Sequence, residues 1–86
     1  TDRIYCDAPP PLYLIDNKSY QGVAIHSEGM ADAVVWNPWS DKCASFKDLA
    51  PDDYLKFICV ERGAINSPLY IASGKHLSLK HHLSVI

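Results

Sequence analysis

From Leu77 to Val85 apolar and polar side chains alternate. Leu77, Leu79, His81, Leu83 and Val85 fall on one side, and Ser78, Lys80, His82 and Ser84 on the other. A period of two places one face of a strand against a core and the other in water. No stretch of the chain keeps the 3.6-residue period of a helix for more than about a turn. The chain is therefore expected to be all-β, with the leucine face packed.

Proline and turn chemistry mark out the other strands. Residues 1–6 read as a strand ended by Asp7-Ala8-Pro9-Pro10-Pro11, since prolines supply no ladder donors. Residues 12–15 and 20–27 flank Asp16-Asn17-Lys18-Ser19, which predicts a β-hairpin. Ala33-Val34-Val35-Trp36 is a further strand, stopped by Asn37-Pro38. The apolar run 57–61 and the segment 69–72 complete a set of seven with the tail. A helical turn is expected over 45–49 and another turn near 52–55. Seven short strands barely supply the two sheets that a sandwich needs, so the chain reads as a small sandwich or part of a larger one.

With 86 residues the chain holds at most one small domain. An apolar fraction of 48% argues against disorder, and a net charge of -2 gives no electrostatic case for nucleic acid or an anionic membrane. No apolar run is long enough to span a bilayer. The chain opens on Thr1-Asp2-Arg3-Ile4-Tyr5, which reads as mid-strand, so residues 1–86 are expected to be a single partial domain. Cys6, Cys43 and Cys59 cannot all pair and form no CxxC. They point to a reducing, cytoplasmic setting with thiols used as small core residues.

Glu61 ends the apolar run Phe57-Ile58-Cys59-Val60. A charge there is costly unless it is solvated, paired or used. Trp36-Asn37-Pro38-Trp39 offers flat faces suited to sugar C–H groups and an amide suited to hydroxyls; the alternative is that Trp36 is core and Trp39 caps it. His81 and His82 face opposite ways on one strand, His26 stands alone on another, and His76 follows a turn. No finger or ribbon spacing is present, so no metal site is expected. Neither a phosphate loop nor a nucleophile elbow occurs.

Thr1-Asp2-Arg3-Ile4-Tyr5, Asp32-Ala33-Val34-Val35-Trp36-Asn37-Pro38-Trp39, Pro51-Asp52-Asp53-Tyr54 and Phe57-Ile58-Cys59-Val60-Glu61 follow in this order. In that order and spacing they resemble the C-terminal part of the hexose-6-phosphate mutarotases. These are the glucose-6-phosphate 1-epimerase branch of the aldose 1-epimerase superfamily. Ser73-Gly74-Lys75 and the alternating tail resemble the family's closing turn and last strand. The resemblance implies a galactose-mutarotase-like β-sandwich that interconverts the α and β anomers of a hexose 6-phosphate without a cofactor. It implies Glu61 as general base and Asp2 as a sugar contact. The family's acid histidine and phosphate-binding arginines lie upstream of the segment matched by Asp2-Arg3-Ile4-Tyr5. Strand alternation turns Arg62 away from Glu61. The isolated chain is therefore expected to be inactive. The other readings are a β-domain that binds carbohydrate or protein without catalysis, and an unrelated β-module. A partial sandwich would leave sheet edges and the Leu77, Leu79, Leu83 and Val85 face uncovered, which predicts self-association.

Overall fold

The computed structural model describes residues 2–86; Thr1, assigned to the first strand from sequence, lies outside the described residues. Among them six strands form two antiparallel sheets. One sheet orders β1 (Asp2–Tyr5), β4 (Asp32–Trp36) and β5 (Cys59–Gly63). The other orders β2 (Leu12–Ile15), β3 (Gly22–Glu28) and β6 (Lys80–Val85). A short helix, α1 (Trp39–Ser45), and a 3-10 turn (Asp53–Leu55) occupy the connection from β4 to β5. The fold is all-β, as expected. No helix among the described residues is long and apolar enough to cross a membrane.

The β2–β3 hairpin is built by local chemistry. The Asp16 carboxylate accepts the Lys18 N–H at 2.9 Å and the Ser19 hydroxyl at 3.0 Å. Tyr20 then enters the left-handed region (φ 58), so the strand resumes at Gly22 rather than at residue 20. A Cβ on Gly22 would stand 2.7 Å from the Leu14 carbonyl oxygen, and only glycine lets the two strands close there.

Three other expectations are corrected. The helix runs Trp39–Ser45, with Pro38 as its N-cap, and stops before Phe46, which is extended, instead of covering 45–49. The fifth strand starts at Cys59 rather than at Phe57, because its partner strand β4 ends at Trp36, opposite Cys59. Residues 69–72 are β-prone but have no ladder partner and form no strand.

Of the tail expected to be strand from Leu77, only Lys80–Val85 pairs as one, because β3 ends at Glu28 opposite Lys80, and its leucine face is not packed. Register places Val85, Leu83 and His81 beside Val23, Ile25 and Ser27. This face looks toward the first sheet, since the Ser27 hydroxyl accepts a hydrogen bond from Arg62 of β5. The three strands of that sheet do not reach the edge: Leu83 is 59% exposed and Val85 86%. Leu77 and Leu79 are exposed as well. The buried apolar core is correspondingly small, comprising Ala24, Ile25, Ala33 and Cys43.

Asp32, the first residue of β4, organises one end of the first sheet. It is buried, and its carboxylate accepts backbone N–H groups from Asp7 at 3.0 Å and from Ile65 and Asn66 at 2.8 Å each. It thereby ties the exits of β1 and β5 to the start of β4. The Asn66, Ile65 and Asp7 amides, aided by the nearby Arg62 charge, hold its pKa below the usual carboxylate value.

Candidate functional site

The register of the first sheet brings the two residues singled out from sequence onto one surface. Asp2 pairs with Trp36, which pairs with Cys59; Ile4 pairs with Val34, which pairs with Glu61. Opposed residues of an antiparallel ladder share a face, and so do residues two apart along a strand. Asp2, Trp36 and Glu61 therefore project from the same side. Two strand spacings across and two residues along separate the Asp2 and Glu61 backbones by about 12 Å. Both side chains are exposed. Glu61 is central in β5 rather than at its tip, because the ladder continues through Arg62 and Gly63. Ile4 and Val34 flank it in its row.

Arg62 takes the opposite side. Its Nε donates to the Ser27 hydroxyl at 2.9 Å and its Nη2 to the Met30 carbonyl at 2.8 Å. It is a bridge between the sheets and does not join the Glu61 surface.

The Trp36-Asn37-Pro38-Trp39 segment shapes the loop beside this surface. Asn37 Nδ2 donates to the carbonyls of Tyr54 at 2.9 Å and Phe57 at 2.7 Å, and its Oδ1 accepts the Trp39 N–H at 2.9 Å. The amide braces the loop, which corrects its reading as a hydroxyl-binding group. Trp36 packs against Phe46 and Phe57, with ring centroids 6.5 and 6.4 Å away, and the Lys42 ammonium lies 5.5 Å from its ring. Trp39 does not cap Trp36; it is exposed and meets Tyr54 edge-on at 5.0 Å.

A curated protein from Cenchrus ciliaris named "Putative glucose-6-phosphate 1-epimerase" is 32% identical to this chain over 85 residues. This chain is a relative of that glucose-6-phosphate 1-epimerase. The match covers 99% of the chain and 26% of that relative, so the chain spans about a quarter of the relative's length. No protein-family model matches the chain, and no solved structure matches it. The motifs at Asp2–Tyr5, 32–39, 51–54 and 57–61 that carried the resemblance lie on the adjoining strands β1, β4 and β5 and in the loop between the last two, while the closing turn and tail lead into β6 of the other sheet.

The histidines lie elsewhere. His26 is not alone: it faces His82 across the β3–β6 ladder, while His81 stands opposite Ser27 on the other side. Among the described residues no three His, Cys, Asp or Glu side chains cluster as metal ligands. Of the thiols, Cys43 is buried and donates to the Ala50 carbonyl at 3.3 Å. Cys6 is exposed and Cys59 half-buried, so the reading of all three thiols as core residues holds fully only for Cys43.

Proposed function

We propose that this chain supplies the base-bearing sheet of a glucose-6-phosphate 1-epimerase, with Glu61 as general base and Asp2 as a sugar contact. The observation that carries this reading is their placement on one open face of the β1-β4-β5 sheet, in a chain related to that epimerase. The substrate is a hexose 6-phosphate, the reaction needs no cofactor, and the setting is cytoplasmic.

The Glu61 carboxylate takes the proton of the C1 hydroxyl while an acid protonates the ring oxygen. The C1–ring oxygen bond then breaks, leaving an open-chain aldehyde. Rotation about the C1–C2 bond presents the other carbonyl face, the ring oxygen attacks it, and the two protons return. Each positioned proton transfer contributes roughly 10²–10⁴-fold. Ile4 and Val34 beside Glu61 give the carboxylate an apolar flank. Asp2 accepts a hydrogen bond from a sugar hydroxyl and fixes the ring over the sheet.

His26, His81 and His82 all belong to the second sheet and its strands, not to the sheet of Glu61. On this reading the acid and the phosphate-binding groups come from outside residues 1–86, which act as a single partial epimerase-like domain without activity of their own. NMR exchange between glucose 6-phosphate anomers tests this. The isolated chain is expected to leave exchange at its spontaneous rate, and Asp2→Asn in a full-length protein carrying this segment is expected to raise KM. Acceleration by the isolated chain that Glu61→Gln abolishes would contradict the division of the site.

A binding role draws support from one observation, the exposed Leu77, Leu79, Leu83 and Val85. In the isolated chain this surface promotes self-association.

A further inference from the structure

The second sheet carries a group of side chains that the proposed epimerase chemistry does not use. Register sets His26 of β3 opposite His82 of β6, with ring centroids 6.1 Å apart and planes inclined at 58°. Glu28, two residues on from His26, stands opposite Lys80 and pairs with it at 3.7 Å. With Pro10 and Pro11 these four side chains wall an open concavity of about 270 Å³. Both histidines are exposed.

We propose that His26 and His82 bind a borderline divalent cation of the Zn²⁺ or Ni²⁺ type, with Glu28 as a third ligand. Imidazole nitrogens suit these ions. Two imidazoles on one tetrahedral ion, each nitrogen about 2.0–2.1 Å from the metal, put their ring centroids about 5 Å apart. The observed 6.1 Å is close to that separation, and rotation of two exposed rings closes the difference. The Glu28–Lys80 pair is long, with both side chains more than two-thirds exposed. Such a pair contributes little, so the carboxylate exchanges the ammonium for a metal ion at small cost. No three ligands are clustered beforehand, so the two histidines capture the ion and Glu28 swings in to it. His81 lies on the opposite face and takes no part.

The ligands come from strands far apart in sequence, which is why no ligand spacing reveals them. Their joint occupation would clamp the edge strand β6 to β3.

Titration of the chain with zinc chloride and with nickel chloride tests the site. Calorimetry is expected to give one ion per chain. At free metal about ten times the dissociation constant, the melting temperature is expected to rise by about 6–11 °C. His26→Ala and His82→Ala should each weaken binding at least about tenfold and remove the rise. His82→Gln, which keeps a polar side chain of similar reach, should do the same while its metal-free melt stays near that of the parent. His81→Ala and Cys6→Ser should leave affinity unchanged. Absence of heat and of a melting shift with millimolar zinc would overturn the site. So would loss of binding in His81→Ala or Cys6→Ser with retention in His82→Ala.

Discussion

Arg62 Nε donates to Ser27 Oγ at 2.9 Å, joining β5 of one sheet to β3 of the other. The same strand thus presents Glu61 to one side and an inter-sheet tie to the other. With a buried core this small, one charged hydrogen bond between the sheets is a substantial part of what holds them. Arg62→Ala removes this bond and the one to Met30, and is expected to cost about 2 kcal/mol. Urea denaturation monitored by tryptophan fluorescence measures it; an unchanged midpoint would show that the sheets do not depend on the bridge.

Asp32 makes stability pH-dependent. The Asn66, Ile65 and Asp7 amides lower its pKa in the fold. A depressed folded pKa contributes stability that is fully present above the unfolded carboxylate value, near pH 4, and is lost as pH falls through the folded value. Asp53, held down by the Ala50 amide and Lys56, and Asp16, held down by the Lys18 amide and Ser19, act with the same sign. Denaturation midpoints are expected to be level from pH 7 to about pH 5 and to fall below about pH 4. Asp32→Asn should lower the midpoint at pH 7 and flatten the acid fall. An acid limb identical in slope and depth would contradict this role.

Asn37 ties two carbonyls of the following segment to the end of β4. Asn37→Asp keeps the acceptor for Trp39 but removes both donors, leaving carbonyls facing a carboxylate. The expected loss is about 1–3 kcal/mol, with the Trp39 emission shifting as its loop loosens. A stability equal to that of the parent would mean the loop is held by its other contacts.

How much of this was legible in sequence depended on how local each determinant is. The β2–β3 hairpin was readable because Asp16 and Ser19 build its turn within four residues. The stop at Asn37-Pro38 was equally local, although the role of the amide was not, since its acceptors Tyr54 and Phe57 lie far along the chain. The alternation of the tail was visible, but whether the leucine side is covered depends on the breadth of the opposing sheet. Residues 69–72 have strand composition without a strand to pair with. Asp32 was missed because its three donors come from two distant segments. That Asp2 and Glu61 share a face follows only from the pairing of both strands with β4.

The exposed side of β6 bears on solution behaviour. Leu83→Lys with Val85→Lys places two like charges on that side and should suppress association of the isolated chain. Sedimentation velocity is expected to show a mass that rises with concentration for the parent and a monomer for the double variant. A parent that stays monomeric at every concentration would contradict the expectation.

Neighbouring residues on opposite sides of β5 permit the most direct test of the base. Anomer exchange of glucose 6-phosphate, followed by NMR, should be compared for Glu61→Gln and Arg62→Gln in a full-length protein carrying this segment. The account predicts a loss of kcat of at least about 10²-fold for Glu61→Gln with the fold intact, and a near-parental rate with reduced stability for Arg62→Gln. A Glu61→Gln protein that turns over at the parental rate would contradict it.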